Sequence, residues 1–188
     1  NTHNRLLFDY IRAELLISSP STLTHAIYVK TYKQLLERKI GSGIDIMSKD
    51  WDNLVILDAC RADTFRKYTS ITGEYSTVVS KGNWTLEFIV KNFKNTEHHD
   101  TVVVTANGYY QKYSKLQDST FHKIINEYHP SPSPKKVTQA AIDTIQQYPN
   151  KRVIVYYTQP HIPHLGETSE RFRTAFTSTD SFPGMFTL

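Results

Sequence analysis

Three groups of residues in this chain have the types and spacing that chemistry requires. The first is Asp58, which closes the apolar run Leu54-Val-Ile-Leu57 and opens the polar turn Ala59-Cys-Arg-Ala-Asp63. In open α/β sheets the ligand lies at the carboxyl ends of the strands. A carboxylate there is costly to bury unless a cation or a donor compensates it, and it can ligate a hard cation. The competing reading is an Asp that caps the next helix. The second is Thr85, in Ser80-Lys-Gly-Asn-Trp-Thr85, where a helix is expected to begin. A hydroxyl in the positive backbone potential of a helix N-terminus suits an attacking alkoxide and an anionic substrate. Gly82 lets the backbone approach a ligand closely. The bland alternative is an ordinary N-cap threonine. The third is the pair His161 and His164, in Tyr156-Tyr-Thr-Gln-Pro-His-Ile-Pro-His-Leu-Gly166. Pro160 and Pro163 stiffen that loop. Two imidazoles three residues apart can ligate a zinc-like ion or bind an oxyanion, or they can be surface histidines.

Neighbouring residues complete the set. Arg61 is placed to pair with Asp58 or to meet a substrate anion. Asp63 reads as a first-turn carboxylate facing the helix dipole. Cys60 reads as a small hydrophobe, because nothing nearby in the sequence activates it. Asn107 ends Val102-Val-Val-Thr-Ala-Asn107 and either lines the pocket or forms a turn before Gly108.

The elements that must position these groups alternate. Strands are expected at Asn53–Leu57, Glu74–Val79, Thr101–Thr105 and Arg152–Thr158. Helices are expected near Arg61–Lys67, Thr85–Phe93 and Ser119–Glu127, then from Pro134 to about Gln147, where Ser133 can cap and Pro134 can occupy the first turn. This alternation predicts an α/β fold with a mostly parallel sheet covered by helices on both faces. Ahead of it, Arg5–Ile17 and Thr22–Ile40 have amphipathic helical spacing, so residues 1–43 read as an N-terminal helical pair and 44–188 as the α/β domain. A membrane-surface role for those helices is the minor alternative. From Gly166 onward no further apolar strand is visible.

Bulk properties narrow the classes. The chain has 188 residues, of which 39% are hydrophobic and 21% charged, values of a folded domain with a real core. A net charge of +4 with a pI of about 9.0 is dispersed rather than patched and argues against nucleic acid. It suits an anionic ester. The single Cys60 excludes an intrachain disulfide. No apolar run reaches the roughly 20 residues of a span, and no signal-peptide core is visible, which favours the cytoplasm.

Taken together, the motifs resemble the sulfatase-like branch of the alkaline phosphatase superfamily. Asn53-Leu-Val-Ile-Leu-Asp-Ala-Cys-Arg-Ala-Asp63 is similar to the Asp-Ala-Cys-Arg-Tyr-Asp signature of its archaeal-type members, with Ala62 where Tyr is usual. Gly82-Asn-Trp-Thr85 stands where that superfamily carries its nucleophile. Pro160-His-Ile-Pro-His164 resembles the His-x-Pro-His element of sulfatases and the second-metal segment of related phosphodiesterases. Order and spacing agree over roughly residues 44 to 166. The resemblance implies transfer or hydrolysis of a phosphate or sulfate ester, sugar- and lipid-linked esters included, with a divalent metal (zinc, calcium, manganese or magnesium). Asp58, Thr85, His161 and His164 would serve the metal, Thr85 would be the nucleophile, and Arg61, His161, His164 and Asn107 would meet the substrate. No Cys/Ser-x-Pro-x-Arg motif occurs, which points to the phosphatase or phosphodiesterase side. The family's later Ser-Asp-His-Gly-type segment does not occur before Leu188, so the expectation is the N-terminal portion of such a domain. The rival reading is a non-catalytic α/β module that binds an anionic ligand. A nucleotide-dependent transferase is disfavoured by the lack of a glycine-rich turn after Leu57.

Overall fold

The computed structural model describes residues 27–177 apart from 29, 33, 36, 37, 40, 113–119, 128–132, 162 and 163. The expected helix at Arg5–Ile17 lies outside these residues. Within the second expected helix, the described residues between 27 and 39 are helical.

The chain forms two compact units. One comprises residues 1–45 with 78–81, and the other residues 46–77 with 82–188. In the first unit, the Ile44 amide donates to the Val79 carbonyl at 2.8 Å and Lys81 pairs with Asp45 at 2.7 Å. Gly43 is required there. Its φ is +88°, and a Cβ would meet the Lys81 amide nitrogen at 2.6 Å.

The second unit is the α/β body. Strands β1 (Asn53–Asp58), β2 (His98–Thr105), β3 (Phe121–Asn126) and β4 (Arg152–Pro160) form a sheet in the order β1-β4-β2-β3. All its pairings are parallel. Helices α1 (Ala62–Tyr68), α2 (Thr85–Phe93), α3 (Gly108–Lys112), α4 (Pro134–Gln147) and α5 (Glu167–Thr177) complete it.

Strand alternation sorts the core into two layers. Leu54, Ile56, Val103, Ile124, Ile154 and Tyr156 pack with Ile89 and Phe93 of α2 and Tyr110 of α3. Val104, Val153 and Val155 pack on the opposite face against Val137 and Ala141 of α4. Helices therefore cover both faces, as the apolar strand runs predict. Phe93 and Ile89 are fully buried, and Phe93 stacks edge-on against Phe121 with centroids 5.0 Å apart. Truncating a buried Phe of this kind costs about 3–5 kcal/mol.

Two expectations are corrected. Glu74–Val79 is not a strand: Tyr75, Val78 and Val79 are exposed and the segment pairs with no strand. Its β-formers pair with no strand among the described residues, and strand propensity is mostly the fit to such a partner. Ser119–Glu127 is not a helix, because Phe121–Asn126 is β3, paired with β2. There the β-branched Ile124 and Ile125 face opposite layers, which a helix would not allow. Beyond Gly166, Glu167–Thr177 is helical. Ser133 occupies the N-cap of α4 and its carbonyl accepts from the Lys136 and Val137 amides, but its hydroxyl makes no capping bond.

Candidate functional site

The carboxyl edge of the sheet gathers the polar residues. β1 ends at Asp58, and the backbone then turns through Ala59, which has φ +58°. A left-handed conformation at a residue with a Cβ is strained, and such strain concentrates at sites. The turn is tight: the Cys60 amide donates to the Leu57 carbonyl at 3.3 Å. Even-numbered residues of β1 face α2, so Asp58 points to the same side as Leu54 and Ile56.

Helix α2 begins at Thr85, after an N-cap at Trp84 that offers no side-chain capping bond. Thr85 is thus the first helical residue, not the cap. Its hydroxyl donates to Asp58 Oδ2 at 2.9 Å, across 27 positions of sequence. Glu87, buried in the first turn, accepts from the Asn83 amide just ahead of the helix at 3.0 Å and pairs with Lys91 at 3.3 Å. Gly82 makes this entry possible. A Cβ there would lie 2.3 Å from the Phe88 nitrogen and 2.5 Å from its Cα. The glycine therefore serves close packing on α2.

β4 delivers the third group. The His161 amide donates to the Asp58 carbonyl at 3.1 Å, which ties the start of the histidine loop to the end of β1. The His164 ring engages the Pro160 carbonyl through Nδ1 at 3.1 Å. Both histidines are exposed. The structure thus joins Asp58 to Thr85 by side chains and to His161 by backbone.

One expected contact is revised, and Asn107 takes the turn role. Arg61 does not pair with Asp58. It forms a two-pronged bond with Asp63, Nε to Oδ1 at 3.0 Å and Nη2 to Oδ2 at 2.7 Å, on a solvent-exposed surface. That guanidinium, and the Thr64 amide, hold the Asp63 carboxyl down at about 2. Asp63 does sit in the first turn of α1, as its dipole reading predicts. Asn107 is buried, and its Oδ1 accepts from the Tyr109 amide at 2.9 Å, so it is the turn residue that opens α3. Cys60 is half-buried, with its thiol 3.9 Å from the Arg61 carbonyl.

The sequence reading assigned no role to Tyr156 or Tyr110. Both are buried beside Asp58, with ring centroids 5.4 Å apart. Burial raises the Tyr110 phenol well above its ordinary value, and the charges of Tyr156 and Asp58 raise it further. Burial, then the charge of nearby Asp58, likewise raise the Tyr156 phenol. The Tyr110 hydroxyl and the Thr158 hydroxyl are buried with no partner. The available signal was the alternation of Ile154 and Tyr156, which share a layer with Leu54 and Ile56.

The donor set fits a hard cation. Asp58 and Thr85 present oxygen ligands side by side, and an ion such as magnesium takes one or two protein oxygens and completes its shell with water and substrate oxygens. Among the described residues, no group of three or more His, Cys, Asp and Glu side chains converges. Also among the described residues, no helix is long and apolar enough to cross a membrane. No protein family, curated protein or solved structure matches this chain.

Proposed function

We propose that the Asp58–Thr85 pair is the reacting centre of a metal-dependent enzyme that hydrolyses or transfers a phosphate ester, in the manner of the sulfatase-like branch of the alkaline phosphatase superfamily. The observation that carries this reading is the 2.9 Å hydrogen bond from the Thr85 hydroxyl to Asp58 Oδ2. The motif resemblance called for these two residues together, and they are far apart in sequence.

Thr85 is the nucleophile. Its hydroxyl is half-buried at the N-terminus of α2, where the first-turn amides lack intrahelical acceptors and the backbone potential favours negative charge. Asp58 orients that hydroxyl and is placed to draw its proton. The oxygen then attacks phosphorus in line: the Thr85–phosphorus bond forms, the ester bond to the alcohol breaks, and the alcohol leaves with a proton. Water afterwards releases phosphate. A divalent cation held by Asp58 and Thr85 would supply charge neutralisation and a lowered nucleophile pKa. His161 and His164, at the end of β4, would meet the ester oxygens.

The test is isothermal titration with Mn²⁺, Mg²⁺ and Zn²⁺, followed by hydrolysis of bis(p-nitrophenyl) phosphate in the cation that binds. Thr85→Ala is expected to cut turnover by at least about a thousandfold, as loss of a nucleophile does. Thr85→Ser should retain part of it, and Asp58→Ala should abolish both binding and turnover. Undiminished turnover in Thr85→Ala removes it as the nucleophile. Inorganic phosphate binding without metal or turnover would instead favour the non-catalytic anion-binding module.

A further inference from the structure

The helical residues between 27 and 39 carry an apolar face that the proposed chemistry does not use. At about 100° per residue, Ile27, Tyr28, Tyr32, Leu35, Arg38 and Lys39 share an arc of about 140°. All six are exposed. The four apolar ones keep between 54% and 66% of their surface in water. The Tyr28 and Tyr32 rings stack with centroids 6.2 Å apart and form one aromatic ridge. Thr31 falls within the same arc, and its hydroxyl turns back to the Ile27 carbonyl at 2.9 Å. Both charged residues of the arc are cations, and by spacing Glu37 falls outside it. Apolar residues exposed singly need no explanation, but four in one stripe mark a surface made to be covered.

We propose that this face docks on an anionic lipid surface, with Ile27, Tyr28, Tyr32 and Leu35 at the boundary of headgroups and acyl chains and with Arg38 and Lys39 against lipid phosphates. The stretch from 27 to 39 is about 20 Å long at 1.5 Å per residue, short of the roughly 30 Å hydrocarbon core. It therefore lies in the interface rather than across it. Tyrosine suits that depth, with an apolar ring below and a wet hydroxyl above. Charge decides between occupants. The core of a protein interface is depleted in lysine, because a partner would have to desolvate it. On a bilayer the Arg38 and Lys39 stems can lie along the apolar surface while their heads reach phosphate. The net charge of +4 adds attraction of the same sign. This surface needs neither a metal nor turnover, so it stands independently of the Asp58–Thr85 reading.

The experiment is co-sedimentation of the whole chain with two kinds of vesicle, phosphatidylcholine alone and an equal mixture of phosphatidylcholine and phosphatidylserine. Binding is expected on the mixture and should be at least about tenfold weaker on phosphatidylcholine, since each basic residue near an anionic surface counts for about fivefold. The double variant Tyr32→Ser, Leu35→Ser should lose about tenfold or more on the mixture. Arg38→Gln with Lys39→Gln keeps the apolar stripe and replaces two helix formers by a third. It should lose about tenfold on the mixture alone, and added salt should have the same effect on the parent. Ile142→Ser, at an exposed isoleucine of α4, should bind as the parent does. A parent that ignores the mixed vesicles or binds both kinds equally overturns the proposal, as does full binding by the Arg38→Gln, Lys39→Gln protein. A parent that dimerises instead, and loses its dimer with Tyr32→Ser and Leu35→Ser, gives the face to a second copy and overturns it too.

Discussion

At the scale of single residues, the hydrogen bond between Thr85 and Asp58 and the ion pair between Arg61 and Asp63 sort the polar residues into two classes. Thr85 is drawn inward to Asp58. Arg61 turns outward to Asp63, only two positions away, and leaves Asp58 to other partners. The second pair has a direct check. Carboxyl NMR should place the Asp63 midpoint at about 2, and Arg61→Gln should return it towards 3.8. A midpoint already near 3.8 in the parent would free Arg61 for the site. The sequence made Asp58 and Thr85 visible because a carboxylate ending an apolar strand and a hydroxyl opening a helix are local patterns. It could not show that they touch, which depends on how α2 is laid over β1. Tyr156 was hidden for a different reason. A tyrosine in an apolar strand looks like core until the neighbouring strand is known.

At the scale of elements, legibility followed the length and partners of each segment. The long apolar strands and the 14-residue α4 were readable from their periods and breakers. β3 was not, because Ile124-Ile125 fits either period and only pairing with β2 decides it. α5 carried a signal that went unused. Glu167 and Arg171 stand four apart and form an ion pair at 2.8 Å, and Glu167 and Glu170 occupy the first turn. Gly82 supplies the sharpest prediction at this scale. Gly82→Ala forces a Cβ onto the backbone of Phe88, where no side-chain rotation relieves the clash. The expected cost is about 1–3 kcal/mol, measured by urea unfolding. The same shift should weaken Mn²⁺ binding, because Thr85 rides on the same turn. An unchanged unfolding midpoint would mean that the approach to α2 is looser than this.

At the scale of the whole molecule, the two buried tyrosines tie stability to pH. Both phenols titrate above their ordinary value of 10 in the folded state. The unfolded chain surrenders these protons near pH 10, while the folded chain keeps them. Their contribution is complete below about pH 10 and is lost as the pH rises through and beyond it, by up to ~1.4 kcal/mol per group for each pH unit. Urea midpoints should therefore be steady from pH 7 to 9 and fall steeply above 10. The double variant Tyr110→Phe, Tyr156→Phe should flatten that fall. An alkaline limb of equal slope in the double variant would assign the effect to other groups.

The order β1-β4-β2-β3 also bears on how the chain is made. Asn53 finds its partner in Val153, a hundred positions later. At roughly 5–20 residues per second, a ribosome needs about 5–20 s to deliver β4 after β1 has been synthesised. Through that interval Leu54-Val-Ile-Leu57 has no strand beside it, so the nascent chain offers an adhesive apolar segment before it offers a sheet. Asp58 is synthesised early, yet the strand that fixes it comes late. Translation paused after β2 should leave β1 open to chaperones and proteases, and release past Pro160 should close it in one concerted step.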